Sequence, residues 1–472
     1  MTQHSSQYWT RRAILQRAAA LGGMGVATPL AMSFAAMGEA AAFDNSDYRA
    51  IVCIFLYGGN DFGNTVIPYD LPNYDLYAAI RGAGPGRTRG GIAYGYNELT
   101  PTALTPVVSQ TLTDDISYAL NPGLTRVAGL FNAGKAAVQL NVGPLVVPLT
   151  LAQYNSPNRN LYPLPPKLFS HNDQQSVWQA LGSEGATIGW GGRFGDLALT
   201  SNSNSLLTCI SAAGNAVFVS GQTALQYQIS PSGAIAINAL QNPPWGSTPI
   251  RDALNTLITN TSTNVMENEF AIVTRRSIQL EGIVNGALSG VNLATPFAGG
   301  NPLAAQMKIV ARLIGARTAL GAKRQVFFVS MGGFDNHNLL MQDHPGLMQK
   351  LDAAVGAFYD ATVELGVADK VTTFTASDFG RTLASNADGS DHGWGGHHFV
   401  VGGAVNGGRF YGVAPHVSIE TDDQVGQGRL LPSTSVDQFA ATLARWFGVS
   451  DSELPTVLPN ITHFSSSNLG FV

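Results

Sequence analysis

One continuous apolar run of strand length, and four similar runs after it, restrict the class of fold open to this chain. They lie at 50–57, 136–142, 325–331, 371–376 and 399–405. A strand with one wet face alternates apolar and polar residues. A run that is apolar throughout belongs to a strand covered on both faces, as in a parallel sheet under helices. Helical patterns separate the later runs. Leu303, Met307, Val310, Leu313 and Ile314 share one helical face ahead of the run at 325. Pro345 can open a further helix, whose Leu347, Leu351, Val355 and Phe358 recur every three or four residues. Near the end, Ser435 and Gln438 form a capping box for a helix through Trp446, which Gly448 stops. Helix, strand, helix, strand in that order predicts an α/β fold with a mostly parallel central sheet flanked by helices.

Composition narrows the function. The 472 residues are 45% hydrophobic and 12% charged, which supplies a large core and excludes wholesale disorder. Formal net charge is −5 and no Lys/Arg run follows the N-terminus, so nucleic acid is not an expected partner. Residues 197–300 are less regular, with Ser/Asn-rich stretches and Pro243-Pro244, and read as an insertion or cap on the core. Cys53 lies inside the first apolar run and reads as a buried core thiol. With Cys209 as the other cysteine, no disulfide framework is indicated.

The N-terminus reads as a targeting segment. Thr10-Arg11-Arg12-Ala13-Ile14-Leu15-Gln16 resembles the twin-arginine export motif of bacteria. An uncharged, Ala- and Gly-rich stretch follows at 18–38, and Ala40, Ala41 and Ala42 offer a small-residue cleavage site. The stretch is also long enough for a membrane anchor, but weak hydrophobicity and Pro29 favour cleavage. The expectation is a signal peptide at 1–42 and an exported domain at 43–472, periplasmic or secreted. The twin-arginine export machinery would be its partner in transit.

Chemistry gathers where the apolar runs stop. Gly58-Gly59-Asn60-Asp61 follows the first, Gly332-Gly333-Phe334-Asp335-Asn336-His337 the third, and Ser377-Asp378-Phe379-Gly380-Arg381 the fourth. Asp391-His392-Gly393-Trp394-Gly395-Gly396-His397-His398 comes soon after. In open parallel sheets ligands bind beyond the carboxyl ends of the strands, where such loops converge. Carboxylates there suit a divalent cation, and His337 and His392 favour Zn, Mn or Fe over Ca. Each cluster also has a plainer reading. Asp61 can cap the turn that follows it. Asp378 can pair with Arg381, and the histidines of the fourth cluster can be solvated loop groups.

The leader, FLYGGNDFGNTVIP, GGFDNH, SDFGRT, DHGWGG and GGAVNGGRFYG, in that order, resemble the DUF1501 family. Through that family the chain is similar to the alkaline phosphatase-like superfamily, with sulfatases and cofactor-independent phosphomutases as relatives. The resemblance implies Asp61 as a first-strand metal ligand, Asp335 and His337 as a ligand pair, Asp378 as a ligand at a later strand tip, and His392 as the last. Two departures stand out. Phe379 occupies the place of a His, and one residue, Asn336, separates Asp335 from His337 where phosphatases have three. One or two divalent ions (Zn, Mn, Fe or Ca) are therefore implied with an altered ligand set.

The superfamily places its nucleophile at a helix N-terminus, and Ser170 in Phe169-Ser170-His171-Asn172-Asp173 fits that place. An ordinary N-cap is its plainer role. His171 can join the site from the same turn, and Arg381 can clamp a substrate oxygen or orient Asp378. No Cys-x-Pro-x-Arg or Ser-x-Pro-x-Arg signature is present, which disfavours a formylglycine sulfatase. The expected function is an exported, metal-dependent hydrolase of phosphate or sulfate esters, acting on a small-molecule or polymer-borne anionic ester. The alternative is a non-catalytic binding or assembly protein on the same fold.

Overall fold

A computed structural model describes residues 43–472; the expected leader at 1–42 lies outside the described residues. The strands, in chain order, are β1 (Arg49–Leu56), β2 (Val66–Pro68), β3 (Tyr118–Leu120), β4 (Ala136–Gly143), β5 (Cys209–Ser211), β6 (Tyr227–Gln228), β7 (Arg324–Met331), β8 (Val371–Ser377), β9 (Gly396–Val401), β10 (Phe410–Tyr411) and β11 (Thr434–Ser435). All but β2 and β3 join one sheet, ordered β10-β4-β9-β8-β1-β7-β5-β6, with β11 beside β4. Only β9 runs against its neighbours, β4 and β8. This is the mostly parallel α/β sheet that the apolar runs predict.

The sequence of β1 shows how the two faces are made. Side chains alternate across a strand, so Val52, Ile54 and Leu56 enter one core and Ile51, Cys53 and Phe55 the other. The first core is closed by the helices Pro302–Gly315 and Leu340–Glu364, through Met307, Val310, Leu351 and Phe358. The second is closed by Trp190–Ala198 and Val436–Phe447, through Trp190, Phe194, Phe439 and Leu443. Burying each such side chain contributes about 1.5–3 kcal/mol, which is why these strands carry no polar alternation. Cys53 and Cys209 are both free and buried. The capping box at Ser435 and Gln438 and the stop at Gly448 form as expected.

Three details differ from the sequence reading. The fifth apolar run pairs at Gly396–Val401, so His397 and His398 are strand residues and not solvated loop groups. His397 Nδ1 accepts from the Asn141 amide at 3.1 Å, and His398 Nδ1 meets Thr375 Oγ1 at 3.3 Å while its ring packs on Trp178. Satisfied in this way, an imidazole can stand in for an apolar side chain. Pro345 lies inside the helix Leu340–Glu364 instead of opening it. The extra turn is held by the buried Leu340, whose amide donates to Asp388 O at 3.0 Å. Finally, residues 197–300 contribute β5 and β6 to the sheet. Their helix Val265–Ser289 also sends Leu280, Val284 and Leu288 into the first core.

Register sets the geometry of the site. Leu56, the last residue of β1, pairs with Met331 of β7 and with Ser377 of β8. The three strand-tip clusters are therefore neighbours in space although they are far apart in sequence.

Candidate metal centre

Backbone turns press the tip clusters together. Gly58 has φ +116°, and a Cβ on it would stand 2.4 Å from the Asp335 amide nitrogen. Only glycine permits both the left-handed turn and that approach. Gly389 serves the same end, since a Cβ there would lie 2.3 Å from the His337 carbonyl group. The helix His171–Ala180 then brings its first residue to β8.

Three imidazoles meet one carboxylate at this end of the sheet. His171 Nδ1 donates to Asp378 Oδ2 at 2.7 Å, an oxygen that also accepts from Gln175 Nε2 at 2.8 Å. His337 Nδ1 donates to Asp391 Oδ1 at 3.1 Å, and Asn386 Nδ2 holds the same oxygen at 2.8 Å. His392 Nδ1 donates to the Phe169 carbonyl at 2.7 Å. Carbonyls and carboxylates only accept, so each Nδ1 carries a proton, and each Nε2 can present a lone pair to a cation when its ring is neutral. All three Nε2 atoms turn toward Asp335. His171 Nε2 lies 3.4 Å from its Oδ2, while His337 Nε2 and His392 Nε2 lie 3.2 and 3.3 Å from Oδ1.

That arrangement fits a cation. The Nε2 atoms of His337 and His392 stand 2.8 Å apart, a distance that needs either a proton or a metal ion between their lone pairs. Donor atoms of His171, Asp335 and His392 all fall within 4.8 Å of one another. His171 Nε2 and Asp378 Oδ1 are buried and have no hydrogen-bond partner within the protein. Imidazoles whose second nitrogen is fixed by a carboxylate or carbonyl are the usual outer layer of a metal site.

Charge around the centre is held in place. Burial pushes the Asp335 carboxyl up, but the hydrogen bond and charge of Arg381, with His171 and His337, overcome it and hold the group below the usual carboxylate range. His171 is pushed up, chiefly by its hydrogen bond to Asp378. His392 is pushed down by burial and by the neighbouring positive groups, against the pull of the Phe169 carbonyl. Asp391 is held low because Asn386 and His337 outweigh its burial. Asp335 and His337 remain open, with side chains 47% and 44% exposed. Beside them lies a cavity of about 380 Å³ lined by Tyr154, Phe169, His337, Asp391, His392, Val425 and Arg429.

The family described as Protein of unknown function (DUF1501) matches residues 48–457, from the start of β1 past all of the tip clusters. The chain belongs to the DUF1501 family. No curated protein matches this DUF1501 chain. Among solved structures, Ps i-CgsB in complex with k-i-k-neocarrahexaose is similar with a TM-score of 0.34 and 9% identity, over 88% of this chain and 77% of that one. A Bacteroides thetaiotaomicron protein from a glycosaminoglycan-metabolising locus (BT33494S-sulf) has a TM-score of 0.33 and 11% identity, over 86% and 74%. The PsFucS1 sulfatase from Pseudoalteromonas sp. has a TM-score of 0.30 and 10% identity, over 92% and 74%. Likeness this slight carries no argument. The fold rests on the sheet order above and the chemistry on the donor set.

Within this DUF1501 chain, four of the residues expected at the site do meet: His171, Asp335, His337 and His392. Asp378 stands behind His171 as its anchor, fully buried. It does not pair with Arg381. The Arg381 guanidinium instead reaches Asp335 Oδ1 and the Gly58 carbonyl from Nη1, at 3.0 and 2.9 Å, and gives Nε and Nη2 to the Ser390 carbonyl. Every nitrogen is engaged and none is exposed, so Arg381 positions Asp335 and does not face the cavity. Ser170 is the residue before the helix His171–Ala180, as its plainer reading has it, yet its hydroxyl caps no amide. Its Oγ donates to Asp173 Oδ2 at 2.9 Å within the same turn. Asp61 caps the turn Phe62–Asn64 and is 1% exposed, away from the open donors.

Sequence reasoning passed over Gln175, Asp391, Arg81 and Arg429. Gln175 lies two residues beyond the Phe169–Asp173 cluster and Asp391 inside the fourth, and their neighbours His171 and His392 are the signal that could have found them. Arg81 and Arg429 belong to no cluster. Arg429 Nε donates to the His392 carbonyl at 2.7 Å, and its guanidinium lies 5.6 Å from the centre of the Phe169 ring. Among the described residues no carboxylate pairs with it.

Proposed function

We propose that this DUF1501 protein is an exported, metal-dependent hydrolase of phosphate or sulfate esters. The observation that carries the reading is the convergence of three Nδ1-anchored imidazoles and the Asp335 carboxylate at an open strand tip. Three nitrogens and one oxygen favour Zn, Mn or Fe over the all-oxygen shell that Ca prefers. Held by His171, Asp335, His337 and His392, a divalent ion would neutralise charge on the ester oxygens and make an attacking oxygen more acidic. Arg429 supports the anionic substrate. It is a cation on the cavity wall beside His392, fixed by its bond to that residue's carbonyl. The open mouth at Asp335 and His337 admits either a small ester or one carried on a polymer. Export rests on Arg11-Arg12 and the segment behind them.

Among the described residues no activated side-chain nucleophile stands at this centre. Ser170 is turned onto Asp173, and both cysteines are buried with their thiols pushed up by burial. Water is therefore the attacking group in this reading. The same observation favours a second reading, an exported protein that binds metal without turning over an ester.

Elemental analysis of the folded, export-processed protein, beside the Asp335→Ala/His337→Ala double variant, tests the centre. The expected result is near-stoichiometric Zn, Mn or Fe that disappears in the variant, with turnover of an aryl phosphate or aryl sulfate that disappears with it. Metal without turnover on any ester moves the protein to the second reading. A metal-free wild type that is equally stable removes both.

A further inference from the structure

Asp61 follows β1 as Asp335 follows β7, and the superfamily resemblance gives it to a metal. The structure gives it to an arginine. Arg81 Nη2 bridges both carboxylate oxygens, at 2.8 and 2.7 Å. Oδ1 also accepts the Asn64 amide at 2.7 Å, and Oδ2 accepts Ser390 Oγ at 2.6 Å. A carboxylate offers about four acceptor positions, and here all are taken. Arg81 itself is fully buried, with Nη1 donating to the Leu383 carbonyl at 3.1 Å. The neighbouring backbone is shaped around it, since a Cβ on Gly63 would lie 2.7 Å from Nη1. An arginine does not lose its proton in a protein, so this is a permanent positive charge.

The pair is wired to the open centre. Ser390 gives its hydroxyl to Asp61, and its carbonyl receives Nε and Nη2 of Arg381. Arg381 then donates to Asp335 Oδ1. A continuous path thus runs Arg81, Asp61, Ser390, Arg381, Asp335, and every member before Asp335 is buried.

We propose that the Arg81 guanidinium takes the place of a second metal ion at Asp61, so that this chain holds a single ion and Asp61 is a positioning residue for Asp335 through Ser390 and Arg381. The donor set implied for a second ion does not fit here. With Asp61 saturated and Asp378 engaged through Oδ2 by His171 and Gln175, Asp378 Oδ1 is the one carboxylate oxygen of the pair left open, too little to hold a second ion. The inference rests on the reading of His171, Asp335, His337 and His392 as metal ligands.

The test is calorimetric titration of the metal-stripped full chain with Zn²⁺ alone, read with the melting temperature of the stripped protein. Wild type is compared with Ser390→Ala and with Asp61→Asn/Arg81→Met. The double variant removes both buried charges together, so neither is left unpaired. One equivalent is expected in all three proteins. Affinity should fall about 10- to 100-fold in both variants, the range for changes behind a metal ligand. In Ser390→Ala the melting temperature should fall through the loss of one buried hydrogen bond, whereas a purely structural role for the serine would give that fall with Zn²⁺ affinity unchanged. Two equivalents in wild type, falling to one in the double variant, would overturn the proposal and leave the hydrolase reading standing. Unchanged affinity in Ser390→Ala would overturn the positioning role. No Zn²⁺ bound by wild type would overturn the metal reading itself, and this inference with it.

Discussion

Asp61 and Asp335 belong to neighbouring strand tips, and in sequence both are an aspartate after paired glycines. Their environments separate them completely. Asp61 is 1% exposed and its charge is cancelled by Arg81, whereas Asp335 is 47% exposed and faces three imidazole Nε2 atoms. Burial pushes both carboxyls up and charged neighbours pull both below the ordinary range, so acidity alone would not tell them apart. What differs is where the acceptor positions go. A carboxylate saturated by a buried arginine holds structure together, while one with room left beside lone pairs can hold an ion. The place of a residue in a sequence motif is therefore a weaker guide to its role than its hydrogen-bond inventory.

The largest expected effect breaks this comparison from the open side. Asp335→Asn should abolish metal binding and any turnover, because one anionic donor is lost and Arg381 is left without its carboxylate. Urea unfolding of the stripped protein should change by less than in Asp61→Asn, since Asp335 is 47% exposed and the amide oxygen of the asparagine can still accept from the buried Arg381. A large stability loss in this variant would mean that Asp335 is structural.

Asp61→Asn should show the opposite pattern. Removing one partner of a buried ion pair leaves an uncompensated charge, which costs about 3–5 kcal/mol. Measured by urea unfolding, that loss should appear while one equivalent of metal is kept. A neutral effect on stability would show that Arg81 finds another partner and that the pair is less isolated than its burial suggests.

These two aspartates also show what a sequence can and cannot disclose. The strands were legible because coverage on both faces makes β1 apolar almost throughout and leaves β4, β7 and β8 largely apolar, their few buried polar residues such as Gln139, Asn141 and Thr373 notwithstanding. The donors Asp335, His337 and His392 were legible because they follow those strands in dense polar clusters. Arg81 was not. It caps the C-terminus of the helix Leu71–Ile80, an ordinary place for a basic residue, and nothing local ties it to Asp61. Arg381 was assigned the wrong partner because Asp378 is close in sequence, while folding brings Asp335 closer in space. His397 and His398 were misread because polarity was taken as exposure.

The buried histidines give the next effect in size, and they contrast with His171. His171 is pushed up by Asp378, whereas burial pushes His344, inside the helix Leu340–Glu364, down to about 4 and His397 and His398 down to about 3. In the unfolded chain each of the three would take a proton near its ordinary value of 6.5. The unfolded state therefore binds more protons below that pH, and folding stability falls as pH falls. Stability from these groups is fully present above about pH 6.5 and is lost progressively toward pH 4 and then 3, at about 1.4 kcal/mol per pH unit for each residue. Urea midpoints measured from pH 7 to 4 should show this slope, and His398→Gln should reduce it by one residue's share. An unchanged slope would mean that His398 is protonated in the folded sheet.

The smallest expected effect concerns Ser170, and it sharpens the comparison by asking whether the turn carrying His171 has any chemistry of its own. Ser170 precedes the helix that delivers His171, the position a superfamily nucleophile would occupy, but its hydroxyl is spent on Asp173 in the same turn. That hydroxyl caps no backbone amide, so its loss should also cost little stability, within about 0.5 kcal/mol as for substitutions that break no buried network. Ser170→Ala should leave metal content unchanged and turnover within about twofold. Had the serine been the attacking group, its removal would cut kcat by orders of magnitude and leave the metal in place. The two outcomes are far enough apart that a single assay on the wild type and this variant decides between attack by water and attack by the chain.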